Sequence, residues 1–138
     1  MAIDRLIDRM TQTPEHDSSG WSGQCALITG GANGFGSAVA KRLASRGIRL
    51  VLLDSNPAAL ERAAASLGAE TIVAQADVTD SLAVKSAVDE AAAKTGRLDI
   101  LVNSARITGR TNIKSHEVDL ADFERVMRVN VNSCLHTF

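Results

Sequence analysis

The sequence predicts an α/β fold, a doubly wound parallel sheet with strands in the order 3-2-1-4. Three observations predict it. Short, nearly all-apolar runs alternate with longer stretches of helical period, the pattern of a parallel sheet covered on both faces. A glycine-rich turn, Thr29-Gly30-Gly31-Ala32-Asn33-Gly34-Phe35-Gly36, follows the first apolar run and opens the first helical one. A polar residue closes each apolar run: Thr29, Asp54, Asp77 and Asn103. Right-handed crossovers bring these four residues to one rim, above the C-terminal ends of the strands.

Each element has its own signals. Residues 1–10 place Ile3, Leu6, Ile7 and Met10 on one helical face, a stretch too short to be stable alone. Residues 11–22 are polar and read as a linker. Residues 1–22 are therefore expected to be a flexible extension with a short amphipathic segment, and 23–138 the folded unit. Strand 1 is expected at 25–29. Helix 1 is expected at about 35–46, with Ala38, Val39, Leu43 and Ala44 on its inner face and Gly47 at its C-terminal end. Strand 2 spans 49–54. Helix 2 spans about 57–67, capped by Asn56, with Pro57 in its first turn and Gly68 past its end. Strand 3 spans 71–76, and helix 3 runs from about 81 to 95 and stops at Gly96. Strand 4 is 98–102, closed by Asn103. After a long loop, Asp119 caps a fourth helix expected to run from about 120 to the end of the chain.

Composition narrows the function classes. A chain of 138 residues fits one domain and buries a sizeable core. The net charge of −1 gives no field for nucleic acid or an anionic membrane. Aromatics are 3%, too few for a base-stacking platform, and there is no tyrosine. Cys25 and Cys134 stand alone in apolar surroundings, and no His lies at metal-ligand spacing, so no metal site is expected. Without a signal-peptide or membrane-span pattern, a cytoplasmic protein is expected.

The chemistry concentrates on the rim. Gly30 lets the chain leave strand 1 sharply, and Gly34 admits a close backbone approach. Gly36 removes a side chain where helix packs on strand. The N–H groups at the start of helix 1 are then free to face phosphates. Asp54 closes strand 2, where a carboxylate accepts from both hydroxyls of an adenosine ribose and repels a 2′-phosphate. No Arg or Lys at 31–33 or 55 offsets that repulsion, so NAD is expected over NADP.

The spacing T-G-x-x-x-G-x-G, with the acid at strand 2, resembles the short-chain dehydrogenase/reductase family and its Rossmann-type fold. The resemblance covers about residues 21–138, the N-terminal half of that family's domain. It implies a cofactor site made of Gly30, Asn33, Gly34, Phe35, Gly36, Asp54, Ser55, Asp77, Val78, Asn103 and Ala105. Asp77 would accept from the adenine amino group. Asn103-Ser104-Ala105-Arg106 stands where the family has Asn-Asn-Ala-Gly. Arg106 is the discordant residue, expected to crowd the cofactor, with a bidentate contact to pyrophosphate as the alternative. Asn130 matches the family's helix 4 active-site Asn, which holds a water in a proton relay.

The resemblance implies hydride transfer between NAD and a hydroxyl or carbonyl substrate. The family's catalytic Ser and Tyr-x-x-x-Lys are not found in these residues, so the chain alone is expected to be inactive and to be part of a longer dehydrogenase. Two alternatives are an NAD-binding module that pairs with other subunits and a non-functional remnant. Helix 4 and the strand 4 edge are the expected surfaces for self-association or aggregation.

Overall fold

The computed structural model describes residues 20–137; the amphipathic stretch at 1–10 lies outside them. The apolar runs form β1 (Cys25–Thr29), β2 (Arg49–Asp54), β3 (Ile72–Gln75) and β4 (Ile100–Asn103). Between and after them lie α1 (Gly34–Ala44), α2 (Pro57–Leu67), α3 (Ser81–Thr95) and α4 (Leu120–Asn130). Short 3-10 segments lie at Ser115–Glu117, before α4, and at Asn132–Thr137, after it. The strands are all parallel, in the order β3-β2-β1-β4, as the sequence predicts.

The two central strands are nearly sealed. Every residue of β1 is buried, as are Leu50–Leu53 of β2. Their side chains alternate between two faces. On one face Ala26, Ile28, Leu50 and Leu52 pack against Ala40 of α1 and Ala59, Leu60 and Ala63 of α2, with Trp21 against the same cluster. On the other, Leu27 and Val51 meet Ala91 of α3, while Leu53 meets Ala87 of α3 and Val129 of α4. The edge strands alternate instead, with Val73 of β3 41% exposed and Leu101 of β4 36% exposed.

Three helices carry side-chain caps. Asn56 accepts from Ala59 N–H at 3.0 Å, Asp80 from Leu82 and Ala83, and Asp119 from Ala121. Gly68 and Gly96 close α2 and α3 in positive-φ conformations, at 113° and 74°. These signals explain why α2 and α3 coincide with their predicted spans.

The structure corrects several predicted boundaries. The buried side of α1 is Gly36 and Ala40 with the half-buried Val39 and Leu43, and Ala38 faces solvent. The expected face places Ala38 inward, whereas the helix buries positions i, i+3, i+4 and i+7 counted from Gly36. Helix α1 ends at Ala44, before the predicted residue 46, and Gly47 takes its left-handed φ of 75° beyond the Ser45 cap. Strands β3 and β4 are shorter than predicted, because each has a partner on one side only.

Helix α4 does not run to the chain end. It stops at Asn130, and Val131 leaves helical geometry at φ −122°, ψ −61°. The hydroxyls of Ser133 and Thr137 then bond back to the carbonyls of Val129 and Cys134. Such back-bonding competes with the helical ladder, and the chain tightens into a 3-10 turn. That turn packs against α3, with His136 Nδ1 2.8 Å from the Val78 carbonyl.

Candidate functional site

The rim at the C-terminal ends of the strands is a cleft. A cavity of about 360 Å³ opens there, lined by Gly30, Asp54, Ser55, Asp77, Val78 and Ala105 from the predicted set. Thr79, Arg106, Ile107, Arg125, Arg128 and Val129 complete the wall. Its size falls within the usual range for small-molecule sites.

The turn after β1 is shaped by contacts that only glycine permits. At Gly30, φ is +63°, and an added Cβ would lie 2.7 Å from the Ala105 Cα. At Gly36, a Cβ would collide with the Gly30 carbonyl and lie 2.6 Å from Ser104 Oγ. The turn is therefore pressed between the start of α1 and the residues after β4. Thr29 ties these parts together: its hydroxyl accepts from the Ser104 and Ala105 amides at 3.2 and 3.3 Å and donates to Asn103 Oδ1. Ser104 Oγ donates to the Thr29 carbonyl. The predicted Asn103 thus has its carboxamide oxygen engaged, accepting from Thr137 as well.

Helix α1 differs from the other three at its start. Asn33 occupies the N-cap but makes no capping hydrogen bond. The first-turn amides of Gly34, Phe35 and Gly36 keep their donors, together with the positive end of the helix dipole. Phe35 is 68% exposed at this end, and the Arg106 guanidinium lies 5.0 Å above the centre of its ring.

Two carboxylates stand across the cleft. Asp54 is half-buried and fixed by two backbone donors, Ala32 N–H at 3.3 Å and Asn56 N–H at 3.1 Å. Asp77 takes two bonds on one oxygen, from the amide and the hydroxyl of Thr79, both at 2.8 Å. Those bonds hold its pKa below the usual Asp value, the amide contributing most. Its second oxygen keeps its acceptor capacity.

Asn130 does not line the cavity. Its side chain clamps the loop after β4, accepting from Ile107 N–H at 2.9 Å and donating to the Ile107 carbonyl at 3.0 Å. Asp122 makes a second stitch, accepting from Arg110 N–H, and an ion pair with Arg125. These bonds fix the wall carrying Arg106 and Ile107 against α4. Sequence reasoning missed Thr79 and the α4 wall. Arg125, Arg128 and Val129 are spaced i, i+3 and i+4, a helical-face signal that was available but whose direction depends on tertiary packing.

Cys25 is fully buried, and burial pushes its thiol pKa up, so it is an inert core residue. Among the described residues, no group of three or more His, Cys, Asp or Glu could hold a metal ion. Among them, too, no helix is long and apolar enough to cross a membrane.

Comparisons with known proteins agree with this architecture. The family model for short chain dehydrogenases matches residues 24–138. A 2-dehydro-3-deoxy-L-rhamnonate dehydrogenase (NAD(+)) from Sphingomonas is 40% identical over 116 residues, covering 84% of this chain and 46% of that protein. Human 3-hydroxyacyl-CoA dehydrogenase type-2 is 42% identical over 113 residues, covering 79% of this chain and 43% of that protein. Among solved structures, the 3-ketoacyl-(acyl-carrier-protein) reductase of Brucella melitensis in complex with NADH superposes with a TM-score of 0.80 at 37% identity, over 85% of this chain and 48% of that one. An NAD+-bound xylitol dehydrogenase gives 0.81 at 36% identity, over 85% and 46%. The chain spans about half the length of the relatives it matches. With the family match over residues 24–138 and the parallel sheet order in place, the chain belongs to the short-chain dehydrogenase family, with its NAD(P)-binding Rossmann fold.

Proposed function

We propose that these residues form the dinucleotide-binding part of an oxidoreductase that transfers hydride between NAD and a hydroxyl or carbonyl substrate. The observation that carries the reading is the pairing of an uncapped α1 N-terminus with a fixed carboxylate, Asp54, on the same rim. The amides of Gly34, Phe35 and Gly36 would hold the pyrophosphate, and Asp54 the adenosine ribose. Two backbone donors orient the Asp54 carboxylate while leaving lone pairs for the ribose hydroxyls. A 2′-phosphate would meet that carboxylate at close range, so NAD is preferred over NADP. Asp77 would accept from the adenine amino group through its uncommitted oxygen, with Val78 against the ring. When bound, the nicotinamide supplies or takes the hydride.

Asn130 keeps one N–H and one lone pair beyond its Ile107 clamp, enough to hold a relay water. The 138 residues contain no tyrosine, so the tyrosine general acid/base that the family resemblance implies would come from outside them. We therefore expect the chain alone to bind NAD without turnover.

A second reading, an NAD-binding module that pairs through α4, is favoured by the exposed Leu120, Phe123 and Met127 along that helix. Size-exclusion chromatography separates the two, since pairing requires a dimer or a larger complex. Fluorescence titration with NADH and NADPH tests the main reading. NADH should bind at least about tenfold more tightly, the worth of one charge-assisted hydrogen bond. Equal affinities would remove the assignment of Asp54, and no binding of either would remove the site.

A further inference from the structure

We propose that Arg106 is a phosphate-gripping residue of the cleft, parked on the face of Phe35 until a diphosphate enters. The inference rests on the dinucleotide reading and adds to it a residue at a position where this chain departs from the family pattern.

Three observations carry it. The first is position. Ala105, its chain neighbour, abuts the phosphate turn so closely that a Cβ on Gly30 would lie 2.7 Å from the Ala105 Cα. The side chain of Arg106 then reaches Phe35, the second residue of α1, with its guanidinium 5.0 Å over the ring. The cation therefore stands beside the same uncapped amides that would face a diphosphate. Both kinds of donor would then face the same diphosphate.

The second observation is the lack of a carboxylate partner. Arg97 and Arg125 are each held by an aspartate at 2.6 Å, whereas Arg106 forms no ion pair among the described residues. Asp54 and Asp77 line the same cleft without engaging it. Among the described residues its partner is an aromatic face alone, and such a contact is weak enough at an exposed site to be exchanged for an anion.

The third is chemistry. A guanidinium offers parallel N–H donors that match two phosphate oxygens, and it stacks on an aromatic ring without losing those donors. Phe35 thus restrains the side chain at the mouth of the cleft and lowers the entropy lost when a ligand is gripped. The alternative expectation, that Arg106 crowds the cofactor, predicts the opposite effect of removing the side chain.

The test titrates NADH, ADP and adenosine against the wild-type chain and three variants, Arg106→Gly, Arg106→Lys and Phe35→Leu. Arg106→Gly should weaken NADH and ADP by about tenfold and leave adenosine within about twofold, since adenosine has no phosphate. Arg106→Lys should recover part of the loss, keeping the charge without the planar fork. Phe35→Leu should weaken NADH about threefold in the wild type and not at all in the Arg106→Gly background.

Unchanged or tighter NADH binding by Arg106→Gly would overturn the proposal, showing the side chain to be an obstruction. An equal loss for adenosine would overturn it too, because the effect would then not act through phosphate. Wild-type protein that binds neither NADH nor adenosine would remove the dinucleotide reading itself. Wild-type binding with an indifferent Arg106→Gly removes only the role of Arg106.

Discussion

Asn33 and Asn56 are the N-cap residues of two helices of equal length, the 11-residue α1 and α2. Asn56, at φ −99° and ψ 103°, turns its side chain back and accepts from Ala59 N–H. Asn33, at φ −142° and ψ 169°, makes no such bond. The chain after each cap differs as well. Pro57 has no N–H, so α2 starts with one donor fewer to satisfy. Helix α1 starts with Gly34-Phe35-Gly36, which presents three donors and little side-chain cover.

The same residue therefore serves two ends. In α2 it closes the helix and contributes stability of about 1 kcal/mol. In α1 that contribution is absent, and the helix end stays open to a ligand on the rim that also carries Asp54. An open, uncapped terminus is a cost to the free protein that a bound anion offsets.

Variants can break or sharpen this contrast, and the largest effect is expected at Gly36. In Gly36→Ala the new methyl meets the Gly30 carbonyl and Ser104 Oγ. Such overpacking costs about 1–3 kcal/mol and shifts the turn, so NADH binding should be lost along with stability in urea unfolding. Asp54→Ala comes next: NADH affinity should fall by about tenfold, and the preference for NADH over NADPH should narrow or vanish.

Asn56→Ala should cost about 1 kcal/mol in urea unfolding and leave NADH affinity unchanged. Asn33→Ala should change stability by less than about 0.5 kcal/mol, since there is no cap bond to lose. If both Asn variants lost equal stability, the contrast between the two helix ends would be wrong.

The smallest effect is in pH. The Thr79 bonds lower the folded pKa of Asp77 from 3.8, so the unfolded chain takes up a proton there first as pH falls. Stability from this group is present above that value and is lost as pH drops through the folded pKa. In Asp77→Asn the acid limb of the stability curve should be shallower over that window.

Most of the scaffold was legible because its signals are local. Asn56-Pro57 and Gly68 bracket α2, Gly96 ends α3, and Cys25–Thr29 and Arg49–Asp54 are apolar strands bounded by turns. The rim residues were legible for a related reason: a parallel sheet puts the residues that close its strands at one edge. The parts that were not legible depend on distant partners. The end of α4 at Asn130 reflects hydroxyl back-bonding that only the folded tail makes visible. The Asn130 clamp on Ile107 joins residues 23 positions apart. The stack of Arg106 on Phe35 joins the loop after β4 to the start of α1, and no spacing rule connects them.

The most direct test of the contrast between α1 and α2 is an amide chemical-shift titration of the 15N-labelled chain with NADH. The account predicts large shifts at Gly34, Phe35 and Gly36, with Ala58, Ala59 and Leu60 at the start of α2 unmoved. Saturable NADH binding that leaves the first turn of α1 unmoved, or that shifts both helix starts alike, would contradict it.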